Sequence, residues 1–181
     1  MTAPLQETSL AAQLADGSLA GSWTLDPARS TVALKSKSMW GLVPVKGTFT
    51  KVEGAGTVSP AGEVSGQITV ATAALDTKNA RRDKHLRSKD FFLADEHPVI
   101  TFAATKLTPT SDGVTVEGTL TVRDRTNPVS FTAAAAPVAD GAIALDATLE
   151  VDRSQYGLTW NQLGMSSVHN TITIHAVFTR A

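Results

Sequence analysis

The sequence contains no cysteine. That excludes a disulfide framework, a thiolate nucleophile and a thiolate metal site. It also has little excess charge: Lys+Arg 16 against Asp+Glu 17 gives a net charge of −1. A chain built to neutralise many phosphates would not be balanced in this way, so nucleic acid is not an expected partner. No window approaches the roughly 20 consecutive apolar residues of a spanning helix. The first 23 residues, MTAPLQETSLAAQLADGSLAGSW, lack the basic start and apolar run of a secretory leader. Residues 1–21 therefore read as a flexible extension, and the protein as soluble and cytoplasmic. Histidine is scarce, at 85, 97, 169 and 175, without the close spacing of a zinc helix. No Gly-x-Ser-x-Gly elbow or defined carboxylate pair is present. No metal, cofactor or catalytic group is expected.

What is present is alternation. Val114, Val116, Gly118, Leu120 and Val122 are apolar or small, and Thr115, Glu117, Thr119, Thr121 and Arg123 between them are polar. Ile143 to Val151, Val64 to Val70 and Ile172 to Phe178 repeat the pattern, as half-buried strands do. Turn signals such as Pro60-Ala61-Gly62 and Arg125-Thr126-Asn127-Pro128 separate the runs. The spacing predicts eight strands, near 30–38, 43–57, 63–71, 98–107, 113–123, 128–137, 141–151 and 169–179. With 42% apolar residues this suffices for one domain, 22–181. The expected fold is all-β, an eight-stranded antiparallel barrel, because closure removes unpaired edges. A two-sheet sandwich has the same alternation.

Two gaps interrupt the strands. In the first, between expected strands 3 and 4, Arg81, Arg82, Lys84, Arg87 and Lys89 crowd around His85 and precede Phe91-Phe92. Asp76 or Thr77 can cap a short helix there, and Ser88 a further turn. The second gap, Arg153 to Val168, carries Tyr156, Trp160, Leu163 and Met165. Loops of that length usually serve as lids or sites.

These residues resemble the YceI-like family of lipocalin-like, polyisoprenoid-binding barrels. The likeness runs from Trp23-Thr24-Leu25-Asp26-Pro27 through Gly47-Thr48-Phe49 and is densest at Leu75-Asp76-Thr77, Arg82, His85-Leu86-Arg87-Ser88 and Asp90-Phe91-Phe92. It continues through Pro98, Thr101-Phe102, Gly118 to Arg123, Pro128-Val129 and Asp152-Arg153-Ser154 with Gly157. Ser38, Leu93, His97 and Asp124 depart from the pattern. The resemblance implies a long-chain isoprenoid or isoprenoid-quinone partner held in an apolar interior.

By strand parity, Phe49, Ile68, Ile100, Phe102, Leu120, Phe131, Leu145 and Ile172 face inward, where they either line a ligand cavity or fill the barrel. Trp40 and Trp160 lie in loops, where with Met165 they would line an entrance, contact a membrane or cover a barrel end. Arg82, His85 and Arg87 are candidates for a polar head group, since guanidinium forks suit phosphate or quinone oxygens. The competing reading has Asp83 or Asp90 pair with Arg87 and His85 to fasten the helical insertion. Asp152-Arg153 reads as a strand-end salt bridge, and His169 and His175 as surface groups. The expected function is carriage or storage of an isoprenoid lipid, by a monomer or homodimer. An enzyme using His85 in the same cavity, and a filled structural or stress-related barrel, are the rivals.

Overall fold

The structure is a computed structural model and describes residues 9–111 and 113–181. Among them lie eleven strands: β1 (Gly21–Leu25), β2 (Thr31–Ser38), β3 (Val43–Phe49), β4 (Val52–Val58), β5 (Val64–Ala71), β6 (Leu75–Asp76), β7 (Val99–Thr110), β8 (Gly113–Val122), β9 (Arg125–Pro137), β10 (Ile143–Asp152) and β11 (His169–Arg180). All pairings are antiparallel.

Three strands are broken, and this reconciles eleven with eight. β1 and β2 both pair with β11, along its two halves, and β4 and β3 pair with them in turn. β5 and β6 then follow β4 and β3. Pro27–Arg29, residues 50–51 and Thr72–Ala74 interrupt these strands, so each pair is one kinked stave. Counted by stave, eight strands run up and down, and the β1–β11 pairing closes the sheet into a barrel. Closure excludes the sandwich. At the first break, Pro27 has no N–H to give the ladder, and the Ser30 hydroxyl accepts from the Val177 N–H at 3.0 Å.

Two expectations need correction. No helix lies between β3 and β4, which are joined through Thr50 and Lys51; helix α2 (Ala80–Leu86) lies between β6 and β7. The breaks are too short to read as gaps in an alternating sequence, so the sequence-based count ran behind the observed one. The cap of α2 also differs: Asn79, not Asp76 or Thr77, accepts from the Arg82 N–H. The stretch 1–21, expected as an extension, carries a short helix where it is described. Ser9 caps helix α1 (Leu10–Asp16), and Leu14 and Leu19 are buried with Trp23 against Val58, Val64, Ile143 and Phe178. Leu10 and Leu14 of this helix, with Leu19 in the turn beyond it, supply an apolar face that the barrel's lower end buries; residues 1–8 lie outside the described set. Gly62, at φ +87°, lets the β4–β5 turn meet α1, for a Cβ there would stand 2.8 Å from the Leu14 carbonyl oxygen.

Inward residues follow the expected parity with one adjustment. A bulge between Ala104 and Lys106 returns Leu107 to the interior opposite Val116. Across the sheet Ile68 faces Phe102, Phe102 faces Leu120, and Val116 faces Phe131. The Phe102 and Phe131 rings pack 5.4 Å apart. Gly118 gives the Phe102 ring its place, since a Cβ would lie 2.9 Å from it and 2.2 Å from the Ala103 carbonyl oxygen.

Candidate functional site

The barrel encloses a cavity of about 540 Å³. Its size follows from which inward positions are small. Ala104, Ala133, Ala147 and Ala176 lie on inward-facing strand positions, where larger side chains would meet across the interior. Phe49, Ile68, Ile100, Phe102, Leu120, Phe131, Leu145 and Ile172 all line the cavity. Phe49 is buried in the upper cluster, whereas Phe102, Phe131 and Leu145 belong to a lower one around Val114 and Ala133. Leu10 and Leu14 of α1 form part of the lower lining.

The upper end is built by α2, the Phe91-Phe92 turn and the Arg153–Val168 connection. Phe92 packs edge-on to Phe49 at 6.4 Å, and Phe91 is buried against the His85 and Trp160 rings. Burial of each phenylalanine is worth roughly 1.5–3 kcal/mol, enough to seat a helix of only seven residues that would not form alone. Asp83, itself buried, accepts from the Thr77 N–H at 3.0 Å and its hydroxyl at 2.5 Å. The helix is thereby fastened to the end of β6.

The three expected head-group residues have separate roles in this geometry. Arg82 donates through Nε to the Thr77 hydroxyl at 2.9 Å and through its guanidinium to the Thr77 carbonyl at 3.2 Å. His85 Nε2 lies 2.9 Å from Asp90, and its ring meets the Trp160 ring edge-on at 4.4 Å. Both residues line the cavity. Arg87 does not; it donates to the Ala73 carbonyl at 3.2 Å on the outside. Of the expected pairings, Asp90 with His85 forms, whereas Asp83 takes Thr77 in place of Arg87. The structure also separates the tryptophans. Trp160 lines the cavity, and Trp40 lies outside it, 63% exposed.

Arg153 was missed as a site residue. It is 8% exposed, lines the cavity, and makes no salt bridge with Asp152, whose carboxylate instead accepts from Ser154. Its guanidinium donates to the carbonyls of Leu158 (2.6 Å), Trp160 (2.9 Å) and Ser167 (3.1 Å), and stands 5.5 Å over the Phe91 ring. Among the described residues no carboxylate comes within ion-pair distance of it. Desolvation lowers its pKa from the ordinary value, opposed by the nearby Asp152 charge. Adjacent Asp and Arg suggest an ion pair; the sequence signal for the observed role was the long loop behind them, whose carbonyls need a donor. The result is a buried guanidinium in the upper wall, beside Arg82 and His85, of a chamber lined mostly by apolar side chains.

Comparison with known proteins accords with this geometry. The model of the YceI-like domain matches residues 23–179. The chain belongs to that family. A UPF0312 protein of Staphylococcus aureus is 30% identical over 148 residues, 77% of this chain and 84% of that one. UPF0312 proteins of Yersinia enterocolitica and Photorhabdus laumondii are each 36% identical, over 45% and 46% of their own length, so the chain matches about half of each. The crystal structure of Burkholderia cenocepacia BcnA superposes with a TM-score of 0.76 at 25% identity, covering 84% of this chain and 98% of that one. A domain of Saccharophagus degradans described as polyisoprenoid-binding has a TM-score of 0.71 over 88% and 98% of the two chains; at 15% identity it shares the fold. This YceI-like chain thus has a barrel whose cavity can receive an apolar ligand.

Proposed function

We propose that the protein binds the chain of an isoprenoid lipid, a polyisoprenoid or isoprenoid quinone, in the barrel and carries or stores it. The observation behind this reading is the 540 Å³ chamber inside the barrel, lined mostly by apolar side chains. If each heavy atom takes about the 30 Å³ of a liquid water molecule, the chamber holds roughly 18 atoms. That corresponds to three or four five-carbon isoprene units, so a longer tail would fold back or emerge. Burial at roughly 0.8 kcal/mol per CH₂ gives such a chain a large gross driving force, even against the cost of association. The polar end of the ligand would lie among Arg82, His85 and Arg153.

The reading favours a binder over an enzyme because the polar groups at that end are already engaged. His85 is held by Asp90 and enclosed by rings, and Arg153 is occupied by carbonyls. Native mass spectrometry of freshly purified protein, followed by organic extraction, tests the proposal. A retained species of isoprenoid mass supports it. Protein that stays ligand-free after incubation with isoprenoids of several lengths would refute it.

A further inference from the structure

Among the described residues, the most exposed large apolar side chains gather at one point on the upper rim. Leu42 is 81% exposed, Leu163 77% and Trp40 63%, with Met39 and Val43 beside them. Two turns supply them, the β2–β3 connection and Gln162–Gly164, and they are tied together. The Trp40 N–H donates to the Met165 carbonyl at 3.1 Å and its indole N–H to the Leu163 carbonyl at 3.2 Å. The Ser167 N–H donates to the Lys37 carbonyl at 2.9 Å. Met39, Trp40 and Leu163 have φ of 50°, 55° and 53°. Left-handed backbone is unfavourable for such residues, so the protein holds apolar groups in water and in strained turns at once. The tip adjoins the cavity directly, since Ser38, Trp160 and Ser166 belong to its wall.

Behind the tip the outer face of the hairpin is basic. Lys35, Lys37 and Lys46 are all exposed, and Lys35 stands directly across the ladder from Lys46. Like charges opposed in this way are unfavourable in water and become favourable against an anionic surface. At about 3.3 Å per residue, Lys37 follows the tip by roughly 7 Å, which is headgroup depth when the tip enters the acyl boundary.

We propose that this tip docks on an anionic lipid bilayer and sets the upper mouth of the barrel against it, so that an apolar ligand passes between bilayer and cavity without crossing water. The transfer half of this inference rests on the proposed lipid function; the docking half does not. A second copy of the chain is a poorer occupant. A convex tip with five part-exposed apolar side chains falls short of the roughly 800 Å² per partner of a stable interface, and a two-fold contact would bring the lysines together.

Flotation of the full chain with phosphatidylcholine vesicles, with and without phosphatidylglycerol, tests the docking. Trp40 reports insertion, because Trp23 is buried and Trp40 is the most exposed indole. The expected result is binding that needs the anionic lipid, with a blue shift of emission. Trp40→Ser/Leu42→Ser should weaken binding at least tenfold, and Lys35→Gln/Lys46→Gln by about fivefold per lysine, only on anionic vesicles. Neither pair lines the cavity, so both variants should keep the wild-type circular dichroism and capture isoprenoid added from solution. Absent binding, binding unchanged in both variants, or a dimer abolished by Trp40→Ser/Leu42→Ser in place of vesicle binding would overturn the docking. Docking as expected, without isoprenoid capture from vesicle or solution, would leave it standing and defeat the lipid function. Capture from solution without vesicle binding would do the reverse.

Discussion

Ala147→Leu separates an empty chamber from a filled core by the sign of its effect. Ala147 is 9% exposed, lines the cavity, and lies across the ladder from Ala133 and Ile174. The substitution adds three carbon atoms. In an empty chamber they gain contacts without displacing protein, worth up to about 2.4 kcal/mol at roughly 0.8 kcal/mol per carbon. The ligand-free variant should therefore unfold at higher urea concentration than the parent. The same atoms take the place of about three of the roughly 18 ligand carbons, so an isoprenoid that fills the chamber should bind about 50-fold more weakly. Urea titration read by circular dichroism gives the first quantity, and a binding titration with the isoprenoid gives the second. If the interior were already packed, overpacking would lower stability by about 1–3 kcal/mol. That loss, or unchanged isoprenoid affinity in a folded variant, would refute the reasoning. Gly118→Leu would not serve, because its Cβ would strike the Ala103 carbonyl oxygen.

His85→Ala removes the partner of Asp90 and the edge contact with Trp160, and should cost on the order of 1–3 kcal/mol of stability. If His85 also reads a head group, ligands ending in phosphate or quinone should weaken more than a hydrocarbon of equal length; equal losses would make it a clasp alone. Leu14→Ala should cost about 2–5 kcal/mol and speed ligand release through the lower end, because Leu14 is both buried and part of the lining. Unchanged dissociation in stopped-flow displacement would deny α1 that closing role. Asp26, Asp76 and Asp152 have pKa values lowered from 3.8, chiefly by hydrogen bonds from Arg29, Lys78 and Ser154 respectively. Their folded values lie below the unfolded ones, so their stabilisation is complete above the unfolded value and drains as pH falls through the lowered ones. Melting curves across that acid range should show Asp152→Asn less pH-sensitive than the parent; an identical slope would contradict the assignment.

Alternation carried the barrel, because each half-buried strand shows one dry face whatever its neighbours. It could not show the kinks. Breaks of two or three residues at Thr50-Lys51 and Thr72–Ala74 leave an alternating sequence looking continuous, and they decide how the strands are counted. Parity also named the eight inward residues lining the cavity, but not that Ala104, Ala133, Ala147 and Ala176 would together leave it open. A void is a property of opposed positions, and register is not written in any one strand. Around α2, residue type showed that charges would engage, without the partners: Asp83 took Thr77 and Arg87 took Ala73. Arg153 was obscured by Asp152, since neighbours in sequence look like an ion pair until the backbone turns one inward. Leu10 and Leu14 were hidden for another reason. A seven-residue helix has too few turns to display a period, and only the barrel end gives its apolar face something to cover.

The position of the bound chain is the most direct test of the lipid reading. A nitroxide-tailed isoprenoid, titrated into protein with labelled methyl groups, broadens the resonances nearest the nitroxide. Binding in the barrel predicts broadening at Ile68, Ile100, Leu120, Leu145 and Ile172, which line the cavity, and sharp signals at exposed Val99 and Val138. Broadening of Val99 or Val138 with the interior methyl groups unaffected would place the chain on the outside and contradict the account.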